Sequence, residues 1–388
     1  MKILHLCLSS FYIDNYSYQE NMLPKYHKLA GHDVSIIASL ESFDVHGAAC
    51  LFAGAQEYIN EYGIPVRRID YQRPFKKINQ TLRRYEKWYR HLEDFKPDII
   101  FIHGCQFSDI KFVVKYAKKN HYVKIFVDNH ADFSNSAKNW LSKNFLHKIL
   151  WRRCAQSILP YTEKFYGVLP ARVDFLIDIY RIPNNKVKLL VMGADDEKVS
   201  EAKQIGTSET LRQKYGIKLT DFLIMTGGKI DPYKKQILLL MEAVQKIRNS
   251  NLKLIVFGSV TEDLKESISR LSDGIKVQYI GWINSEDAYR YFSASDLVVF
   301  PGRHSVFWEQ VVGLGIPMIV KHWEGTTHVD LGGNCMFLYE DSVDEISEVI
   351  CKIVENKELY DHMKNIAMTK GMDVFSYKKI ALDCLAVE

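Results

Sequence analysis

Short apolar runs alternate with amphipathic helical stretches along this chain, and the alternation occurs twice. In the first half the runs fall at residues 3–8, 33–38, 98–103 and 123–128, and in the second at 222–226, 252–257, 277–280, 297–300 and 318–321. Apolar runs of this length, separated by helical periodicity, predict parallel strands covered by helices on both faces, an α/β architecture. After the first run, Met22, Tyr26 and Ala30 recur at helical spacing, and Gly31 closes that helix. Ser285 with Glu286 and Asp287 starts a later helix, and Ser342 with Glu345 forms a capping-box pattern for another. A helix is also expected from about residue 233, with Ile237, Met241 and Val244 on its inner face. The strand-like stretch 188–192 gives way to a polar segment, which places a domain boundary at 193/194.

Composition sharpens this reading. A chain of 388 residues, 47% hydrophobic and 25% charged, is too long for one ordinary core and predicts two soluble domains. The net charge of +4, from 51 basic against 47 acidic side chains, is far from the dense basic stripe of a nucleic-acid binder. The seven cysteines (Cys7, Cys50, Cys105, Cys154, Cys335, Cys351, Cys384) are odd in number and scattered without a Cys-x-x-Cys pair. They read as reduced, mostly buried thiols of a cytoplasmic protein. The first residues enter an apolar strand without a cleavable signal pattern, and no run approaches the roughly 20 apolar residues of a spanning helix. Any membrane contact is expected to be peripheral.

The first strand ends in Ser9-Ser10-Phe11-Tyr12, without the glycines that let a dinucleotide pyrophosphate approach the backbone, so NAD and FAD lose support. No P-loop and no Asp-x-Asp turn points to an ATPase or a metal-dependent transferase. In the second half a strand runs into Thr226-Gly227-Gly228-Lys229-Ile230-Asp231-Pro232-Tyr233-Lys234-Lys235. Glycines permitting close backbone approach, lysines and a following helix N-terminus together make a phosphate cradle. An ordinary strand-to-helix turn with solvated lysines fits the same residues equally. A second constellation, Pro301-Gly302-Arg303-His304-Ser305-Val306-Phe307-Trp308-Glu309-Gln310, offers amides, hydroxyls and side-chain acceptors to sugar and ribose hydroxyls. The plainer alternative makes Trp308 core and Glu309 a helix-start acid. In the first half, His103 and His130 follow strands at the carboxyl edge of the sheet, where open α/β folds bind ligands, although a lone histidine is more often structural.

Together these segments resemble family 4 retaining glycosyltransferases over nearly the whole chain. Gly228-Lys229-Ile230-Asp231-Pro232-Tyr233-Lys234 is similar to the family's Gly-Arg-Leu-x-x-x-Lys donor loop, with Lys229 and Lys234 at its basic positions. Tyr279-Ile280-Gly281-Trp282-Ile283 resembles the Phe-x-Gly loop, and Ser293-Ala294-Ser295-Asp296 the Ala-Ala-Asp segment. The resemblance implies the GT-B fold, two Rossmann-like domains facing across a cleft. It divides the chain into an acceptor-side domain (1–193), a nucleotide-sugar domain (194–370) and a C-terminal helix (371–388) that packs back on the first domain. It implies catalytic roles for His130, Lys229 and Lys234, and donor contacts from Gly227, Gly228, Trp282, Ile283, His304, Ser305, Glu309 and Gln310. On the acceptor side it implies Tyr18, Gln19 and His103. Where the family carries two glutamates separated by seven residues, this chain has Gly302 and Gln310, with Glu309 beside the latter, so the ribose partner is Glu309 or Gln310. The implied reaction is front-face sugar transfer from a nucleotide-diphosphate sugar to a glycan or lipid-linked acceptor, without cofactor or metal.

Residues 76–90 carry Lys76, Lys77, Arg83, Arg84, Lys87 and Arg90 with Leu82, Tyr85 and Tyr89 at near-helical spacing. They read as a surface helix packing on the sheet or as a basic amphipathic helix on anionic lipid, and residues 138–153 pose the same question. Two rival functions use the same donor loop: a nucleotide-sugar epimerase or hydrolase, and a silent nucleotide-sugar-binding subunit.

Overall fold

The computed structural model describes residues 1–43, 49–133, 136, 140, 142–204, 206–232, 234–284 and 287–386. The chain forms two compact units: Met1–Met192 with Lys378–Glu388, and Gly193–Tyr377. The returning segment begins at 378 rather than 371, because helix Lys357–Phe375 runs unbroken within the second unit.

The strands of the first unit are β1 (Lys2–Cys7), β2 (Asp33–Ala38), β3 (Glu41–Phe43), β4 (Ala49–Leu51), β5 (Gln56–Ile59), β6 (Pro65–Arg68), β7 (Ile99–His103), β8 (Lys124–Asn129), β9 (Thr162–Gly167) and β10 (Val187–Leu189). Eight of them form a sheet in the order β10-β9-β8-β7-β1-β2-β6-β5, parallel except for β5, while β3 and β4 make a separate hairpin. Strand order reverses at β1, so the carboxyl ends of β1 and β7 flank a topological switch point. Side chains alternate across this sheet. Leu4, Leu6, Ile100, Ile102, Ile125 and Val127 enter the main core. His5, Phe101, His103, Phe126 and Tyr166 stack along the other face.

The second unit contains β11 (Phe222–Gly227), β12 (Leu252–Phe257), β13 (Val277–Tyr279), β14 (Leu297–Phe300), β15 (Met318–Lys321) and β16 (Cys335–Leu338). They form one parallel sheet in the order β13-β12-β11-β14-β15-β16, with the switch point between β11 and β14. Both units therefore bear out the α/β, parallel-sheet expectation. Ser342 caps helix Val343–Val354 by accepting the Glu345 N–H, but the Glu345 carboxylate turns to the amides of Tyr339 and Glu340, so only half of the capping box forms.

Three helical expectations change. Residues 76–90 are not one helix. Helix Lys76–Thr81 ends, Arg83 and Lys87 adopt positive φ, and a second helix, Tyr89–Phe95, begins beyond them. Tertiary contacts override the periodicity: Tyr85 pairs with Tyr71 and donates its N–H to Asp109, and Trp88 is wholly buried. The helix expected from 233 starts at Gln236, with Tyr233 itself outside the described residues. Ser285 and Glu286 also lie outside them, as do 138, 139 and 141, and within 138–153 the chain forms a π-helix, Ser142–Trp151. Among the described residues, no helix is long and apolar enough to cross a membrane.

Candidate functional site

In the second unit, the turns after β11 and β14 meet at the switch point. Gly228 has φ of 122° and Gly258 has φ of 132°, and a Cβ on Gly258 would lie 1.8 Å from the Gly228 carbonyl oxygen. Only glycine at 258 allows that approach, so part of the glycine content here serves backbone packing. Lys229 is exposed and Lys234 half-buried, its N–H donating to the Asp231 carbonyl at 2.8 Å. Gly302 sits on Lys234, since a Cβ at 302 would lie 3.8 Å from the Lys234 Cα. Burial depresses the Lys234 ammonium pKa; Asp231 opposes this, while the charges of Lys229 and Arg303 push the same way. Three cations from two loops thus act on one another where a polyanion would relieve them.

Helix Phe307–Leu314 carries Glu309 and Gln310 into the interior, 0% and 2% exposed. One carboxylate oxygen of Glu309, Oε1, accepts the Nε2–H of both His304 and His328, each at 2.8 Å. Burial opposes ionisation of Glu309, but the two histidines outweigh it and hold the carboxyl at about 2. Glu309 is therefore engaged through Oε1, while its Oε2 and Gln310 Oε1 are both buried without a hydrogen-bond partner among the described residues. Ser305, half-buried, accepts the Trp308 N–H through its carbonyl. Trp282 is 66% exposed and Ile283 half-buried; they follow Gly281, whose carbonyl accepts the Gly258 N–H at 2.8 Å and ties this loop to the glycine turn.

In the first unit a cavity of about 550 Å³ opens at the β1/β7 switch point, lined by Ser9, Tyr18, Glu20, Gln106 and His130 among others. Gly104, at φ of 83°, allows the close contact with Ser9, whose Oγ donates to the carbonyls of His103 and Gly104. His130 Nε2 lies 3.4 Å from Asp128 Oδ1 and 3.6 Å from Glu20 Oε1. Burial would lower its pKa, but Glu20 and then Asp128 outweigh this and raise it, against Arg172.

Two residues expected on the acceptor side are enclosed instead. His103 is 0% exposed, with Nδ1 2.7 Å from Asp128 Oδ2 and Nε2 3.0 Å from His5 Nδ1. Gln19, opening helix Gln19–Leu29, is also 0% exposed, and strand alternation and helix register account for both placements. Sequence reasoning did not single out His5, His27, Glu20 or His328. A polar residue within the apolar run 3–8 signals His5. His328, nineteen positions beyond Glu309 in a short turn, leaves no periodic trace.

Among the described residues two groups, Glu20, His103 and His130, and His304, Glu309 and His328, bring possible metal-ligating atoms within 4.8 Å of one another. Both nitrogens of His103 are already hydrogen-bonded, and the Nε2 atoms of His304 and His328 approach Glu309 at hydrogen-bond distance. The two groups have the geometry of hydrogen-bonded networks.

Comparison with known proteins agrees with this layout. Residues 207–370 match the family glycosyl transferases group 1. An uncharacterized glycosyltransferase of Methanocaldococcus jannaschii is 22% identical over 222 residues, which span 54% of this chain and about half, 55%, of that protein. The whole chain superposes on HepE of Anabaena, solved in complex with UDP, with a TM-score of 0.69 and 16% identity, covering 99% of this chain and 98% of that one. A glycosyltransferase of Rickettsia africae superposes equally well, with a TM-score of 0.69 and 15% identity over 99% of this chain and 96% of that one. The fold is that of the GT-B glycosyltransferases.

Proposed function

From a chain whose residues 207–370 match glycosyl transferases group 1, we propose a metal-independent retaining glycosyltransferase that takes its sugar from a nucleotide-diphosphate donor. The observation that carries the reading is the desolvated Lys234 ammonium beside Lys229 and Arg303 at the β11/β14 switch point, a cationic seat that suits a diphosphate. Gln310 Oε1, buried without a partner among the described residues, accepts a hydrogen bond from a ribose hydroxyl, and Glu309, held through Oε1 by His304 and His328, supports the site from behind. Gly227 and Gly228 let the diphosphate approach the backbone, His304 and Ser305 face the sugar, and the loop at Trp282 and Ile283 meets the base.

In the reaction, an acceptor hydroxyl attacks the anomeric carbon on the face from which the diphosphate departs. The new C–O bond forms as the bond to the phosphate oxygen breaks, and the hydroxyl proton passes to the leaving diphosphate. The cations balance the charge that develops there. His130 and Tyr18 hold the acceptor side. The acceptor is a glycan or lipid-linked sugar of surface polysaccharide assembly at the cytoplasmic side of a membrane. Exposed Phe75 and Ile78, 72% and 58% accessible beside exposed Lys77, support a peripheral contact with anionic lipid.

The test is Lys234→Ala, assayed with UDP-sugars and other nucleotide-sugars against candidate acceptors. Transfer falls by about 10²-fold or more while the circular dichroism spectrum is retained. Undiminished turnover refutes the donor seat, and an epimerised nucleotide-sugar or free sugar in place of a glycoside refutes the reaction.

A further inference from the structure

A line of imidazoles crosses the first unit between the cavity and the C-terminal segment. Asp128 Oδ2 lies 2.7 Å from His103 Nδ1, His103 Nε2 lies 3.0 Å from His5 Nδ1, and His5 Nε2 lies 3.0 Å from His27 Nδ1. His27 Nε2 ends the line 2.7 Å from the carbonyl oxygen of Ala381. All three histidines and Asp128 are 0% exposed. Ala381 lies in the last turn of helix Tyr377–Asp383, where the Leu385 amide turns to Leu382, so its carbonyl takes side-chain donors instead, His27 Nε2 at 2.7 Å and the Cys384 thiol at 3.3 Å.

The protons along this line can be counted. A carbonyl only accepts, so His27 Nε2 carries hydrogen and its Nδ1 must receive the His5 Nε2–H. His5 Nδ1 then receives the His103 Nε2–H. At the far end a carboxylate also only accepts, so His103 Nδ1 carries hydrogen as well. Four hydrogen bonds require four protons, and three neutral imidazoles supply three. Of the three rings His103 alone meets a carboxylate, so the extra proton belongs there; burial lowers the pKa of His5 and, against the hydrogen bond to Ala381, that of His27 to about 4.

We propose that this relay stores one proton on His103, where it cancels the charge of Asp128 as felt by His130, and that the Ala381 carbonyl enforces the storage. His27 is then a positioning residue for the acceptor side, acting through His5, His103 and Asp128. The seating of residues 378–388 becomes part of how His130 is tuned. The role given to His130 rests on the reading of the cavity as the acceptor side; the proton count does not.

Besides His103 and His130, the thiols of Cys7, Cys105 and Cys384 feel the charge of Asp128. Glu20, Asp128 and Arg172 face His130, and Arg172 is itself paired with Asp132 at 3.1 Å. His32 and the Cys384 thiol face His27.

Nitrogen-15 histidine NMR on the full chain tests the count directly. In the wild type at neutral pH, His103 shows both ring nitrogens protonated, while His5 and His27 are neutral with hydrogen on Nε2. In His27→Leu the constraint disappears: His5 can reverse and donate from Nδ1 to His103 Nε2. His103 becomes neutral, and His130, now facing an uncancelled Asp128, titrates at higher pH than in the wild type. His27→Gln restores the wild-type pattern, because its amide N–H₂ donates to Ala381 and its oxygen accepts from His5. A neutral His103 beside an ionised Asp128 in the wild type overturns the proposal even if the leucine variant fails to fold. So does an unchanged His130 titration in a folded leucine variant. Loss of sugar transfer in Lys234→Ala has no bearing on these spectra, so the two readings fail separately.

Discussion

Replacing Glu309 by glutamine removes a buried charge without removing volume, and the structure sets the expected size of the effect. The carboxyl is held at about 2 in the folded protein against an ordinary 4.5, because His304 and His328 both donate to Oε1. A displacement of that size is worth about 3 kcal/mol of stability at neutral pH. This is close to the roughly 3–5 kcal/mol lost when one partner of a buried ion pair is removed. The sign follows from the folded pKa lying below the unfolded one. The contribution is complete above about 4.5 and is lost as pH falls toward about 2. The assay is urea unfolding of wild type and Glu309→Gln, followed by tryptophan fluorescence at steps from pH 7 to pH 3. The difference between the two proteins, which cancels the other carboxylates, should be about 3 kcal/mol at pH 7 and shrink steadily below pH 4.5. A difference that stays constant through the acid range refutes the argument, since it assigns the effect to lost packing or hydrogen bonding.

Two further outcomes are expected. A Cβ at Gly371 would lie 2.1 Å from the Val312 carbonyl oxygen, so Gly371→Ala must push helix Lys357–Phe375 off helix Phe307–Leu314. It should cost about 1–3 kcal/mol in thermal or urea unfolding, whereas Gly54→Ala, with nothing within 4 Å, leaves stability unchanged. If Phe75 and Ile78 meet lipid, the double serine variant sediments less with anionic liposomes than the wild type, and equal sedimentation refutes that contact.

Much of the second unit could be read from its strands. The runs 222–226, 252–257, 297–300 and 318–321 are mainly apolar because parallel strands are buried on both faces, and they coincide with β11, β12, β14 and β15 to within a residue. The strands β5, β6 and β9 escaped because each carries charged or polar residues, with exposed positions in β5 and β6 and half-buried Glu163 and Lys164 in β9, which weakens any two-residue period. Helical spacing over 76–90 misled because its aromatic residues answer to distant partners, Tyr71 and Asp109, rather than to their own turn. The lysines of the donor loop were legible as a local motif. The partners of Glu309 were not, since sequence spacing alone cannot bring His304 and His328 to the same oxygen, and this pairing bears on the choice between Glu309 and Gln310.

The division of the first unit along the chain has a bearing on its synthesis. Its last strand is finished before Met192, yet Lys378–Glu388, which supplies the Ala381 and Cys384 carbonyls bonded to His27 and Tyr166, is translated 185 residues later. At ordinary elongation rates that interval is on the order of 10–40 s. Throughout it, the aromatic and imidazole face of the nascent sheet has the cover of helix Gln19–Leu29 but lacks that of the C-terminal segment, and a chaperone that grips such faces would have its longest opportunity there.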